Sequence, residues 1–422
     1  MQTVLLLAGK NSRFFPLETM SHKALFPLYG KPTVEYLVED LVSVGVKDFA
    51  IATGQHDELI REQLGDGSRF GATIKYAIQK GDGQGEGVLA VRELINGPFM
   101  IMNPYHLFQV DHFKKILKRF KSEDIDGVFS GKYQEDVTNY GVFELKGERI
   151  VNVVEKPKKG EEPSNYRGTS AYIFKKDFFD YLEKEERHEY FFESAQTTYA
   201  KEKNVVMIEI GKDIKIPTLK YPWHLLDLRS QLSNTVKGFI HPTAYVADNV
   251  VLEESVYVDE GARIFEGAAV KGSTYVGKKA VIGNNAVVRD TDLGVAAQVG
   301  VNSDITRSII MAGVHSHGGG FIGDSIIGND ARIAAGFVTA NKRTDRENIS
   351  AEVAGKKVDI KSNALGIIMG EGVKTGIGVS SMPGKLVGSK SQIWPHTVIY
   401  ENLPHNTLLR SIQNQEKRQL DD

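Results

Sequence analysis

From Ile240 to Val288, an aliphatic residue occupies every sixth position of this 422-residue chain. Neither an α-helix, with its period of 3.6, nor a strand, with its period of 2, produces such spacing. A six-residue repeat is typical of a β-helix, whose successive coils stack aliphatic side chains into an internal column. Nine positions in a row obey the rule: Ile240, Val246, Leu252, Val258, Ile264, Val270, Val276, Ile282 and Val288.

The repeat has interruptions. Its phase slips near Gly294 and returns in three later stretches, 321–333, 367–379 and 387–399. We expect the slips to mark loops that leave the coil, chiefly the segment 339–364. The β-helix is therefore predicted over 236–403, followed by a polar tail, 404–422, that is either a short helix or disordered.

The first half of the chain has a different pattern, in which short apolar runs alternate with helical stretches. This alternation predicts an α/β domain over 1–235 with a Rossmann-like parallel sheet and helices on both faces. Ligands of such sheets bind beyond the carboxyl ends of the strands. The predicted strands are 3–7, 48–52, 74–78, 99–102 and 127–130, and the predicted helices are 33–44, 56–64, 87–95 and 111–121.

Composition excludes several classes of function. The chain contains no cysteine, which rules out disulfides, thiolate metal sites and a cysteine nucleophile, and favours a cytoplasmic location. Its net charge of −2 gives no general attraction to nucleic acid or to anionic membranes. No apolar run is long enough to span a bilayer. We therefore expect neither a nucleic-acid partner nor a membrane.

The loop after the first predicted strand contains the residue types that bind phosphate. Gly9, Lys10, Asn11, Arg13 and Lys23 follow the apolar run closely. Backbone N–H groups after a strand can surround phosphate oxygens, and the basic side chains neutralise their charge. Asn11 stands where such loops often have glycine, but asparagine tolerates positive φ. The alternative interpretation is a surface turn with solvated basic residues.

Several motifs in the first half resemble those of the sugar-nucleotide pyrophosphorylases, which join a sugar 1-phosphate to an NTP and release pyrophosphate. The similarity covers about 1–235. It rests on the stretches LLLAGKNSRFFPLET, HKALFPLYGKP, YAIQKGDGQGEG, YGVF, VVEKP, NYRGTSAYIF and YPWHLL, which occur in the family's order.

The resemblance implies roles for individual residues. Arg13 and Lys23 are expected to hold the NTP phosphates during catalysis, and Gln79 and Gly83 to contact the base. Glu155 and Lys156 are expected to hold the sugar phosphate, with Asn165 and Gly168 beside the sugar. The full implied nucleotide set is Ala8, Gly9, Lys10, Asn11, Gln79 and Gly83, and the sugar-phosphate set is Gly141, Glu155, Lys156, Asn165, Gly168 and Asn341.

The positions implied for magnesium differ from the family pattern. The family uses Mg²⁺ held by two aspartates, but these positions are occupied here by Tyr105 and Thr218. A neutral phenol or hydroxyl is a poor ligand for a hard cation. Asp82 and Asp213 are the alternative carboxylates. The departures leave a second hypothesis, a catalytically impaired regulatory or sugar-nucleotide-binding homologue, and a third, a purely structural trimer.

The second half resembles the acetyltransferase domain of the archaeal-type bifunctional glucosamine-1-phosphate acetyltransferase/uridylyltransferases. The similarity rests on SIIMAG (308–313), FIGDSIIG (321–328), AAGFVTANKRTD (334–345) and ALGIIMGEGVKTGIGVSSMPGKLVG (364–388). It implies a left-handed β-helix, a homotrimer and acetyl-CoA as co-substrate.

The expected catalytic base of this second half is His317, although one extra residue displaces it from the family position. Strict alignment puts Gly318 there, and a bulge in the glycine run could restore His317. Asn341 matches a sugar-site residue. Thr306 replaces the phosphate-binding lysine, with Arg307 next to it.

Overall fold

The computed structural model describes residues 1–107, 110–121, 125–412 and 414–419. Its contacts divide these residues into two compact units. The first unit consists of Met1–Lys10, Ser21–Phe26 and Lys31–Thr218, and the second of Asn11–Met20, Pro27–Gly30 and Leu219–Asp422 as far as these are described.

A nine-stranded sheet forms the centre of the first unit. Its strands are β1 (Gln2–Leu7), β2 (Asp48–Thr53), β3 (Thr73–Ile78), β4 (Phe99–Met102), β5 (Gly127–Tyr133), β6 (Gly141–Lys146), β7 (Arg149–Glu155), β8 (Tyr166–Phe174) and β9 (Val205–Glu209). Their order in the sheet is β3-β2-β1-β4-β8-β5-β9-β7-β6.

Helices alternate with the first strands, as the sequence predicts. They are α1 (Thr33–Ser43), α2 (Asp57–Leu64), α3 (Gln84–Ala90), α4 (Val110–Phe120), α5 (Phe178–Lys184), α6 (Phe191–Glu202) and, in the second unit, α7 (His224–Leu232). Helix α3 starts three residues before its predicted beginning because Gly83, at φ 97°, ends the preceding loop. Single 3₁₀ turns occur at Lys23–Leu25, Ser68–Phe70, Arg92–Leu94 and Ser233–Thr235. None of the helices within the described ranges has the length and apolarity that a membrane span requires.

The five predicted strands all exist, but the prediction of a parallel sheet is wrong in one respect. Strands β1 to β4 pair in parallel, whereas β8 lies between β4 and β5 and is antiparallel to both. Strands β6 and β7 form an antiparallel pair at the far edge. The mixed sheet still places the carboxyl ends of β1, β3 and β4 along one edge.

The second unit is a left-handed parallel β-helix, as predicted, built from three sheets. The first sheet contains Phe239–Ile240, Tyr257–Val258, Tyr275–Val276, Asp292–Leu293, Ile309–Ile310, Ile326–Ile327, Ile367–Met369 and Lys385–Val387. The second contains Tyr245–Val246, Arg263–Ile264, Val281–Ile282, Gln298–Val299, His315–Ser316, Arg332–Ile333, Lys374–Thr375, Gln392–Ile393 and Leu408–Leu409. The third contains Val251–Leu252, Ala269–Lys271, Val287–Arg289, Asp304–Thr306, Phe321–Gly323, Val338–Thr339, Ser380–Ser381 and Val398–Ile399.

The internal column of the β-helix is the predicted aliphatic row. Val258, Ile264, Val270 and Val276 are fully buried and belong to one continuous apolar cluster. Ile240, at the first coil, is 48% exposed because no coil covers it within the described chain. The last strand, Leu408–Leu409, belongs to the stretch predicted as a tail, and residues 413 and 420–422 of that tail lie outside the described residues.

The phase slip near Gly294 is not the predicted loop. Tyr257 pairs with Tyr275, eighteen residues later, whereas Tyr275 pairs with Asp292, only seventeen residues later. One residue fewer per coil shifts the aliphatic phase without any excursion. The predicted insertion at 339–364 does leave the coil, since Val338 pairs with Ser380, and it contains the hairpin Ser350–Val353 and Lys356–Asp359.

A buried ion pair holds α7 to the first sheet of the β-helix. Arg229 Nε donates to Asp292 Oδ1 at 2.9 Å, and both side chains are about 95% buried. Asp292 Oδ2 accepts the backbone N–H of Tyr29 at 2.7 Å, and the Arg229 guanidinium lies 4.9 Å from the Tyr29 ring. The guanidinium also donates to the carbonyl of Ser273. These contacts fix three separate segments of the second unit.

Candidate active site

A cavity of about 370 Å³ opens at the carboxyl ends of β1, β3 and β4. Its position is the one that an open α/β sheet provides for ligands. The structure thus brings together most of the predicted nucleotide site and one of the two positions implied for magnesium. The predicted residues that line it are Ala8, Gly9, Lys10, Lys23, Gln79, Gly83 and Tyr105.

Gln79 shapes the loop on one side of this cavity. Its side-chain amide donates to the carbonyls of Gly81, at 2.6 Å, and Gly83, at 3.0 Å. A Cβ on Gly87, in the first turn of α3, would come within 2.8 Å of the side-chain oxygen Oε1 of Gln79. The glutamine amide therefore folds the 79–83 turn and leaves its own oxygen packed on α3.

A lysine–aspartate pair spans the loops after β1 and β3. Lys10 Nζ lies 2.9 Å from Asp82 Oδ2, and the two side chains are 70% and 78% exposed. Such exposed pairs contribute about 0–1 kcal/mol and open readily. Lys10 can therefore exchange this contact for an incoming phosphate.

Lys23 also lines the cavity, at the start of a 3₁₀ turn. Its ammonium group is 5.2 Å from the centre of the Tyr105 ring. The preceding His22 is buried, and its Nδ1 accepts the backbone N–H of Ala24 at 3.3 Å. Burial, and then the Lys23 charge, lower the pKa of His22 to about 3. The histidine is therefore neutral, so the positive charge at this turn is that of Lys23.

The donor set around the cavity does not fit a protein-held magnesium ion. Mg²⁺ takes six oxygen ligands and is usually held by one or two carboxylates. Burial raises the pKa of Tyr105 to about 12, so its phenol stays protonated. Among the described lining residues the sole carboxylate is Asp82, which is paired with Lys10. The described chain also contains no cluster of three His, Asp or Glu suited to a metal, and Thr218 is exposed.

A second group of predicted residues meets where β6, β7 and α6 approach one another. The Glu155 carboxylate packs on Gly141, where a Cβ would come within 2.9 Å of Oε2. Lys156 Nζ lies 4.0 Å from Glu155 and 2.7 Å from the Tyr190 hydroxyl. Burial raises the pKa of Glu155, and the Lys156 charge opposes that shift.

Glu193, in the first turn of α6, belongs to the same group, although the sequence reasoning did not select it. Burial, with the Glu155 charge adding to it, raises the pKa of Glu193 to about 7. Its only signal in the sequence was a glutamate in an apolar stretch, FFES, which by itself indicates nothing about its neighbours. The group therefore presents two carboxyls and one ammonium to a ligand.

Gly168 lies in β8, the strand that separates β4 from β5, and Asn165 immediately precedes that strand. The Asn165 amide nitrogen donates to the carbonyls of Gln134 and Glu135, at 3.3 and 3.2 Å. A Cβ on Gly168 would lie 3.1 Å from the Tyr172 hydroxyl and 3.2 Å from the Phe143 ring. The absence of a side chain at Gly168 therefore leaves room for the Tyr172 and Phe143 rings, next to the point where the pairing register of β8 with β5 shifts.

Asn11 and Arg13 belong to the second unit, unlike the rest of the predicted phosphate loop. Asn11 adopts φ 55°, a conformation that asparagine tolerates. Arg13 is exposed. Farther along this segment the Glu18 carboxylate accepts from His405 Nε2 at 2.9 Å, and the Phe15 ring contacts the His405 ring edge-on at 5.1 Å.

In the β-helix, Asn341 contacts Asp324, the residue after the strand Phe321–Gly323, whereas His317 precedes that strand by four residues. The Asn341 amide donates to Asp324 Oδ2 at 2.6 Å, and Arg307 donates to both oxygens of Asp324, at 2.7 and 2.8 Å. His317 is exposed and stacks on His315 with ring centres 4.6 Å apart. Asp324, buried among these groups, was not selected from the sequence.

The alignment position of the acetyl-transfer base has no space for a side chain. Gly318 has φ 106°, and a Cβ there would overlap the carbonyl oxygen of Val301. Gly320 is equally confined by the carbonyl of Phe337. The glycine run thus turns the chain tightly between the second and third sheets. His317, which directly precedes Gly318, presents an exposed imidazole at that turn.

Comparisons with known proteins agree with this geometry. A model of the nucleotidyl transferase family matches residues 2–215. The bifunctional protein GlmU of Methanococcus maripaludis strain S2 is 33% identical over 97% of both chains. The bifunctional sugar-1-phosphate nucleotidylyltransferase/acetyltransferase of Sulfurisphaera tokodaii is 28% identical over 97% of this chain and all of its own length. The crystal structure of apo UDP-glucose pyrophosphorylase superposes with a TM-score of 0.50 at 21% identity, over 56% of this chain and 99% of that one, which shows the fold alone.

Proposed function

The chain belongs to the nucleotidyl transferase family and, over almost its whole length, to the bifunctional GlmU proteins, and we propose that it transfers a nucleotidyl group from an NTP to a sugar 1-phosphate. This membership confirms both the resemblance drawn from the sequence and the predicted class of function, nucleotide-sugar biosynthesis. The comparisons give no support to the alternative of a catalytically impaired homologue.

The observation that carries the proposal is the cavity at the strand ends. It combines the glycine turn after β1 with Lys10, Lys23 and the Gln79 loop. In the reaction an oxygen of the sugar phosphate attacks the α-phosphorus of the NTP. The bond from the α-phosphorus to the bridging oxygen breaks, and pyrophosphate leaves with that oxygen. Catalysis of such a transfer depends on positioning and charge stabilisation rather than on covalent chemistry by the protein.

The two lysines are placed to act on the leaving group. Lys10 and Lys23 both line the cavity, and each can meet negative charge as it develops on pyrophosphate. The group formed by Glu155, Lys156 and Glu193 supports binding of the sugar phosphate. There the Lys156 ammonium would meet phosphate, and the carboxyls would accept hydroxyl or amine protons from the sugar.

Acetyl transfer from acetyl-CoA to an amino-sugar phosphate is a second proposed activity, for the β-helix. The similarity to bifunctional relatives over 97% of this chain supports it. Asn341, Arg307 and Asp324 form the polar group there, and His317 is the available base, since position 318 accepts no side chain. A homotrimer formed through the β-helix and a cytoplasmic location complete the proposal.

Pyrophosphate release tests the first activity. The full chain is incubated with each NTP and a panel of hexose and amino-hexose 1-phosphates, both with Mg²⁺ and with a chelator, and pyrophosphate is measured enzymatically. We expect release with at least one pair and its loss in Lys23→Met. Nucleotide binding without release from any pair would refute the proposal.

A further inference from the structure

We propose that the strand-end cavity binds the NTP through its lysines, and that Tyr105 makes nucleotide affinity independent of magnesium. The inference rests on the proposed function. It concerns how the triphosphate charge is neutralised at the same site. Nucleotidyl transferases of this family generally use Mg²⁺, so the proposal separates this chain from its family.

Tyr105 is part of the cavity wall near the end of β4. It follows β4 by three residues and lines the cavity together with Asn103 and Pro104. Its ring lies against the Lys23 ammonium, 5.2 Å from ring centre to Nζ. An aromatic face attracts a cation and so holds the ammonium at this wall. A divalent ion at the same place would meet a protonated phenol and a neighbouring positive charge.

Asp82 does not replace the absent carboxylate. Its side chain is 78% exposed, and its Oδ2 accepts a hydrogen bond from Lys10 Nζ at 2.9 Å. A magnesium ion there would have to displace Lys10, the other cation of the site. Asp213, the second alternative, is not among the described residues that line the cavity.

The charge balance has a direct consequence for binding. An uncomplexed triphosphate carries two more negative charges than its magnesium complex, and the lysines attract it more strongly. A protein carboxylate that ligates the metal would reverse this order, because it would repel the free triphosphate and bind the complex. Wild-type affinity should therefore stay within about fivefold, or tighten, when magnesium is removed, since exposed charge pairs contribute little each.

The inference is tested by isothermal titration calorimetry of the full chain with UTP, dTTP, ATP, CTP and GTP. The dissociation constant of each nucleotide is measured once in excess Mg²⁺ and once in excess chelator. We expect the best-binding NTP to show the small or inverse magnesium effect. Tyr105→Phe should behave like the wild type in this respect, because the ring that holds Lys23 remains. Tyr105→Asp should bind more tightly with Mg²⁺ than without it, by about tenfold or more.

Asp82→Asn is the control for the alternative ligand. It should leave the ratio of the two affinities unchanged. Loss of wild-type binding by more than tenfold on chelation would overturn the inference, and restoration of magnesium independence by Asp82→Asn would identify Asp82 as the ligand. Circular dichroism checks that Tyr105→Asp is folded. If this variant misfolds, the wild-type titrations with and without Mg²⁺ still test the inference.

The two proposals fail in distinguishable ways. Absence of binding by every NTP in both conditions refutes nucleotidyl transfer itself and the inference with it. Tight binding of an NTP only in the presence of Mg²⁺ leaves nucleotidyl transfer standing and refutes the lysine-based neutralisation alone.

Discussion

Replacing Asp292 by asparagine should destabilise the second unit by about 3–5 kcal/mol, the usual cost of leaving a buried charge without its partner. Both side chains of the Arg229–Asp292 pair are about 95% buried. Asparagine keeps an acceptor for the Tyr29 N–H but leaves the guanidinium of Arg229 uncompensated. Arg229→Met should cost a similar amount, because it strands the carboxylate instead.

Tryptophan fluorescence gives a readout specific to this unit. The chain has two tryptophans, Trp223 and Trp394, and both belong to the second unit. Trp223 precedes α7 and is 5% exposed, whereas Trp394 is 49% exposed. In a Trp394→Phe background, urea unfolding therefore reports on the buried environment of α7, and the change in free energy follows from the midpoint and slope.

Two further variants decide whether the pair is the cause. The double variant Arg229→Met/Asp292→Asn should cost less than the sum of the single variants, because each partner's penalty arises from the other's isolation. Asp304→Asn is the matched control: it breaks the Arg289–Asp304 pair, in which both side chains are 43% exposed, and should cost no more than about 1 kcal/mol. Single-variant costs below 1 kcal/mol, or fully additive costs, would refute the reasoning.

Three other expectations follow from the structure. Lys23→Met should lower kcat/KM for pyrophosphate release by about 100-fold or more, because it removes a donor that stabilises developing charge. Steady-state kinetics measure this loss, and circular dichroism checks that the variant is folded. The pKa of Glu193 is about 7 in the folded chain and 4.5 in the unfolded chain, so its ionisation lowers the free energy of unfolding progressively as pH rises from 4.5 to 7, by at most about 3 kcal/mol. Glu193→Gln should remove that decline in urea titrations. An unchanged pH profile in the variant would contradict this expectation. Gly318→Ala should destabilise the β-helix far more than Gly319→Ala. Both glycines have positive φ, but only a Cβ on Gly318 would overlap a backbone carbonyl, that of Val301. Equal shifts in the thermal midpoint would contradict this expectation.

The sequence predicted the β-helix and the strand-end cavity because both depend on local patterns. Each coil makes the same demand every six residues, and each coil contacts chiefly its neighbours, so the aliphatic period alone indicates the column. Likewise, a glycine turn with lysines after a buried strand lies at the carboxyl edge wherever the sheet order places that strand. Ala8, Gly9, Lys10, Lys23, Gln79 and Gly83 line one cavity for this reason.

Features that depend on residues far apart in the chain required the tertiary structure. The insertion of β8 between β4 and β5 has no local signal, since an antiparallel strand carries the same alternation wherever it pairs. Only the folded chain brings Glu193 beside Glu155, and Asp324 between Arg307 and Asn341.

The fate of the phosphate loop illustrates the same division. Chain order alone places Gly9, Lys10, Asn11 and Arg13 after the first strand. Folding packs Asn11 and Arg13 with the second unit and brings the Tyr105 ring against the Lys23 ammonium group. Neighbours in space set the charge environment and burial of a side chain, so an ammonium group acquires such a partner only when distant strands meet.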